Sequence, residues 1–138
     1  MIFHITFFFI LSFVTSMFSI TNVAYYSPVI PINIFGTIMF LLGICLYSYY
    51  NGLKKDNKYF KFLIIYGIFI GVTTLLAKRL EIPILNFFLL SNILPLYSIT
   101  HPFKNIFNDN IIVIYSMEIL LILVSYILGN YISNKRKS

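Results

Sequence analysis

The chain has 138 residues, of which 59% are hydrophobic and 10% charged, with a formal net charge of +6. Soluble domains average about 25% charged residues, so these charges are too few to coat a water-facing surface, and the solvent that suits the rest is lipid. Nucleic acid is excluded as a partner, because the lysines and arginines lie between or after apolar runs and form no basic face with readable polar structure.

Length allows one domain, 1–138, and no linker, repeat or low-complexity tract divides it. The expected fold is all-α: a polytopic transmembrane bundle of four or five helices. A spanning helix needs about 20 mostly apolar residues to cross about 30 Å of hydrocarbon.

Segment one covers 2–20. No Lys or Arg precedes its apolar run, and the run is too long for a secretory signal, so it reads as a retained helix. The uncharged "NVAYYSP" follows, with two tyrosines suited to the membrane interface. Segment two covers 30–50. Pro28 and Pro31 stand where a helix starts, and "YSYY" closes it. "NGLKKDNK" is expected to be a polar turn.

Segment three covers 59–77, bounded by Lys61 and by Lys78 and Arg79. It is just long enough if those cations snorkel. Segment five covers 111–132 and leads into a basic tail, 134–138. Lipid is the expected partner throughout.

Segment four, 82–100, is ambiguous. It is apolar but carries Pro83, Pro95, Asn86, Ser91 and Asn92. Pro95 removes a helical hydrogen bond, which a membrane tolerates only where neighbouring groups satisfy the freed carbonyl. Asn86 and Asn92 must face protein or water.

If the stretch crosses, the ten cations divide five against five. If it re-enters and returns, Lys54, Lys55, Lys58, Lys61, Lys135, Arg136 and Lys137 share one side against Lys78, Arg79 and Lys104. Seven against three follows the positive-inside rule and puts the 51–61 loop in the cytoplasm, as expected of a cell-membrane protein. Hydropathy and length favour crossing. Both topologies stand open at this level, and a half-helix pair broken near Ser91 and Asn92 is a third arrangement.

Helical spacing sorts the segments into faces. His4, Phe8, Ser12, Thr15 and Ser19 share one on segment one. Asn33, Gly36, Thr37, Phe40 and Gly43 share one on segment two. On segment three Gly67, Gly71, Thr74 and Lys78 align, and "GIFIG" is a small-x-x-x-small pattern that lets backbones approach. Gly36, Gly43, Gly67, Gly71 and Thr74 are therefore expected at helix contacts, within the bundle or in a homodimer.

Glu118 is the most informative residue. It lies about 10 Å from the start of segment five, where burying a charge is costly and ionisable groups face a cavity or a partner. Tyr115, Glu118, Ile122, Ser125 and Gly129 line one face. Desolvation there favours the neutral acid. Such a carboxyl is suited to carrying a proton or binding a cation, with Tyr115, Ser125, Asn86 and Asn92 as candidate companions, or else to bonding another helix.

His101 precedes Pro102 and reads as a surface residue. His4 reads as an interfacial side chain. Cys45 is the single cysteine and sits in an apolar run, which excludes an intramolecular disulfide. No HExxH, GxSxG, Walker A or dinucleotide pattern appears. Metal chemistry needs three converging ligands, and His4, His101, Glu81, Asp109 and Glu118 are scattered.

No catalytic residue, metal or cofactor is expected. The first functional expectation is a non-catalytic accessory, assembly or immunity-type membrane subunit that acts on another membrane protein through helix contacts. The alternatives are a small oligomeric proton- or cation-coupled transporter using Glu118 and a holin-like pore former.

Overall fold

In the computed structural model the described residues are 1–18, 31–80, 96 and 111–136. They form four helices: α1 (Ile2–Ser16), α2 (Pro31–Leu53), α3 (Asn57–Leu80) and α4 (Ile111–Lys135), with no strand among them. Of these, α2, α3 and α4 are long and apolar enough to cross a membrane, and α1 is a shorter apolar helix. They correspond to segments one, two, three and five. Segment four, with Asn86 and Asn92, lies outside the described residues except for Leu96, which is buried in the hydrophobic cluster of the bundle. Ser19, Glu81, His101, Lys104 and Asp109 also lie outside them.

Pro31 opens α2, where a missing N–H costs least. The expected polar turn is shorter than its composition suggests, because α2 continues through Asn51, Gly52 and Leu53. Asn51 is buried and donates its side-chain amide to the Tyr47 carbonyl at 2.7 Å. The turn proper is Lys54, Lys55 and Asp56.

It closes with a Schellman arrangement: the Asp56 amide donates to the Asn51 carbonyl, and the Lys55 amide to that of Gly52, both at 3.0 Å. Lys55 takes the left-handed position, with φ of 54°. Asp56 then caps α3. Its Oδ1 accepts the amides of Lys58 at 2.8 Å and Tyr59 at 3.3 Å, two donors a helix start otherwise leaves unpaired.

Contacts fix the helix directions. α1 runs antiparallel to α2: His4 meets Tyr47, Leu11 lies against Gly43, and Thr15 and Phe18 lie against Gly36. The tight turn sends α3 back along α2. α4 runs antiparallel to α3, with Tyr126 beside Tyr59 and Phe60, and Ile119 beside Gly67. The start of α1, the α2–α3 turn and the end of α4 therefore share one end of the bundle. Lys55 Nζ donates to Asn134 Oδ1 there. Leu80 and Ile111 end and begin their helices at the opposite end.

Exposure is inverted relative to a water-soluble fold. Ile2, Leu46, Ile68 and Leu120 are each more than 60% exposed, whereas His4, Asn33, Thr37, Ser48, Asn51 and Glu118 are buried. Among the described residues, eleven polar and eleven hydrophobic side chains are buried. An apolar exterior this continuous needs hydrocarbon around it, and polar groups inside the bundle find the partners that lipid denies them.

Candidate functional site

Two polar centres lie inside the bundle. The first is Glu118, buried on α4 at 1% exposure. Across the interface, the Tyr66 hydroxyl of α3 donates to Glu118 Oε1 at 3.3 Å. Oε2 is buried and has no hydrogen-bond partner among the described residues. Tyr115, one turn earlier on α4, is also buried, so the carboxyl lies between two tyrosines on the inward face.

That face is Tyr115, Glu118, Ile122, Tyr126 and Gly129. Ser125, expected on it, is half-buried beside it and donates to its own helix at the Leu121 carbonyl, 2.8 Å away. It stands two turns from the carboxyl and is not brought to it. Tyr126 takes the inward position and packs on Tyr59 at 5.8 Å between ring centroids.

The second centre is at the turn end. His4, near the start of α1, is buried: its Nδ1 lies 2.7 Å from the Tyr47 hydroxyl, its Nε2 is 3.6 Å from Asp56 Oδ2, and its ring packs on Tyr59 at 5.1 Å. Ser48 donates to the Ile44 carbonyl at 2.7 Å, which leaves its oxygen to accept from the Tyr59 hydroxyl at 2.5 Å. Tyr126 from α4 reaches the Asp56 carbonyl at 3.4 Å. All four helices thus converge here.

Sequence reading did not bring His4 and Asp56 together. The signal lay in topology, since two antiparallel crossings return residue 56 to the level of residue 4.

The glycines divide. A Cβ on Gly36 would lie 2.7 Å from the Phe18 Cβ, and one on Gly43 2.8 Å from Leu11, so both permit α1 to approach α2. Gly67 faces Ile119 at an ordinary 3.7 Å, and no described atom comes within 4 Å at Gly71. α3 instead turns Tyr59, Phe62, Leu63, Ile70, Thr73 and Thr74 inward, because its aromatic rings fill the space beside α1 and α4. Thr74 bonds back to the Ile70 carbonyl at 2.8 Å.

Sequence reading passed over Gly52 and Gly129 as contact residues. A Cβ on Gly52 would run into the Tyr126 carbonyl, and one on Gly129 into the Tyr49 carbonyl.

No three His, Cys, Asp or Glu side chains converge among the described residues. Cys45 is a half-buried free thiol packed against the hydrophobic cluster. Fold and exposure together define a helical membrane protein. Comparison with family models, curated proteins and solved structures gave no match to this chain.

Proposed function

We propose that this chain is a four-crossing plasma-membrane protein acting as a non-catalytic accessory, assembly or immunity-type subunit through helix contacts in the bilayer. Both of its ends and the 54–61 cluster face the cytoplasm.

The observation that carries this reading is where the buried polar atoms are spent. Thr15, Ser16, Ser48, Thr73 and Thr74 all donate to carbonyls of their own helices, at 2.6 to 2.8 Å. Asn33 donates to the Phe18 carbonyl at 2.5 Å and so ties α2 to the chain leaving α1. Hydroxyls bonded in this way are satisfied within their own helix, so they offer no free polar lining to a solute and the helices meet by packing. A solute route needs such groups left available along its length.

Helix direction supports four crossings. α3 and α4 are antiparallel, so Leu80 and Ile111 lie at the same end of the bundle, as a non-crossing connection requires. Leu96 in the hydrophobic cluster agrees with entry into the bundle. The charges agree too. Seven cations then belong to the turn end and three to the other, the bias of a cytoplasmic turn end.

Extracted from native membranes in mild detergent, the chain is expected to migrate with a second membrane polypeptide in fixed ratio. In liposomes it is expected to pass neither potassium nor small solutes by itself. A chain that migrates alone and conducts would contradict the reading.

A further inference from the structure

We infer that Glu118 is a proton-binding site within the bilayer, a carboxylic acid that exchanges its proton with the aqueous phase at the Leu80–Ile111 end while Tyr66 positions it. The inference rests on bilayer placement and goes beyond the accessory reading.

The environment of the two oxygens is unequal. Oε1 accepts from the Tyr66 hydroxyl at 3.3 Å, whereas Oε2 is buried with no described partner. Among the described side chains no lysine, arginine or histidine comes within ion-pairing distance of this carboxyl. The ionisable groups facing it are Tyr66 from α3 and Tyr115 on its own helix. In register with it, α1 offers Phe8 and Ser12, and α2 offers Thr37 and Phe40, none of which titrates. The His4–Asp56 pair belongs to the other end of the bundle.

An ionised carboxylate with one bare oxygen and no counter-charge among the described residues is the costly state in such surroundings. A proton on Oε2 removes the charge and leaves Oε1 to Tyr66. A structural role alone does not call for an acid. Glutamine would offer Tyr66 the same acceptor at the same reach without an ionisable group.

The position is asymmetric as well. Glu118 is about 10 Å along α4 from Ile111 and about 25 Å from Lys135, so the nearer water lies at the Ile111 end.

The test uses dicyclohexylcarbodiimide on the full chain in lipid vesicles. The acid O–H adds across one C=N bond to give an O-acylisourea, which rearranges to a stable N-acylurea that mass spectrometry locates. Glu118 is expected to be labelled, with a rate that falls about tenfold per pH unit above its titration midpoint. The rate should respond to pH on the side of the Ile111 end. Glu118→Asp should label, and Glu118→Gln should not.

Absence of label at every pH in a chain with intact helical circular dichroism, or a rate independent of pH, would overturn the inference while leaving bilayer placement intact. Response only to pH on the turn side would overturn it equally. Modification of Glu118 by a water-soluble carbodiimide and amine as fast as Asp56 would overturn both, since it places the carboxyl in water.

Discussion

Gly52 of α2 and Gly129 of α4 form a reciprocal backbone contact. A Cβ on Gly52 would meet the Tyr126 carbonyl and come 3.1 Å from the Asn130 nitrogen, and one on Gly129 would meet the Tyr49 carbonyl and come 2.9 Å from the Leu53 nitrogen. One Cα hydrogen of each glycine therefore points at the other helix's carbonyl, the weak hydrogen bond found at close helix crossings. This crossing lies at the turn end, beside the cluster of His4, Tyr47, Asp56 and Tyr59.

Alanine at either position should separate α2 from α4. Gly52→Ala and Gly129→Ala are each expected to cost roughly 1–3 kcal/mol, the range for overpacking a filled interface. Gly71→Ala is the control. No described atom comes within 4 Å of its Cβ position, so alanine's helix preference should leave it within about 1 kcal/mol of the parent, on the stabilising side. Reversible unfolding in mixed detergent micelles measures all three. Equal losses at positions 52 and 71 would contradict the crossing.

The turn gives opposite signs at neighbouring residues. Lys55 holds the left-handed position at φ 54°, which disfavours a side chain by about 1–2 kcal/mol. Lys55→Gly relieves this but frees the unfolded chain and loses the Asn134 contact, so a net gain of at most about 1 kcal/mol is expected. Lys55→Val, β-branched, should be less stable than the parent. Asp56→Ala removes the α3 cap and should cost about 1 kcal/mol, whereas Asp56→Asn keeps a capping oxygen and should cost less. The same unfolding assay ranks the four.

Much of this fold is legible in the sequence because hydrocarbon imposes one rule on a whole segment. The runs 2–20, 30–50, 59–77 and 111–132 are visible as apolar lengths, and the inward faces of α1 and α2 follow from polar residues at helical spacing. Helix ends are less legible. Asn51 and Gly52 look like loop residues, yet Asn51 bonds backward at 2.7 Å and Gly52 packs on a carbonyl, so α2 runs to Leu53.

Glu118 is visible as an acid in an apolar run. Its tyrosine partner is not, because Tyr66 is one of 11 tyrosines and only the α3–α4 pairing selects it. Within the described part of one chain, Gly67 and Gly71 are not points of close approach, because Tyr59, Phe62 and Tyr66 are the α3 side chains turned toward α1 and α4.

Tyr66 and Glu118 should be energetically coupled. Tyr66→Phe removes the hydroxyl and keeps the ring, which also packs on Phe62 at 5.7 Å and Phe8 at 5.3 Å. A double-mutant cycle with Glu118→Leu is expected to give about 0.6 kcal/mol of coupling, and no more than about 1.7, the range for hydrogen bonds between membrane helices. Additive losses would show that the bond contributes nothing.

The direction of α4 is what every functional reading depends on, and labelling from one side of the membrane tests it directly. In a Cys45→Ala background, single cysteines replace Lys55, Lys78 or Ser138 and are exposed in sealed vesicles to an impermeant maleimide. Positions 55 and 138 are expected to react from one side and position 78 from the other. If 78 and 138 react together and 55 from the opposite face, then α4 runs the other way through the bilayer, and the bundle described here is not the one in the membrane.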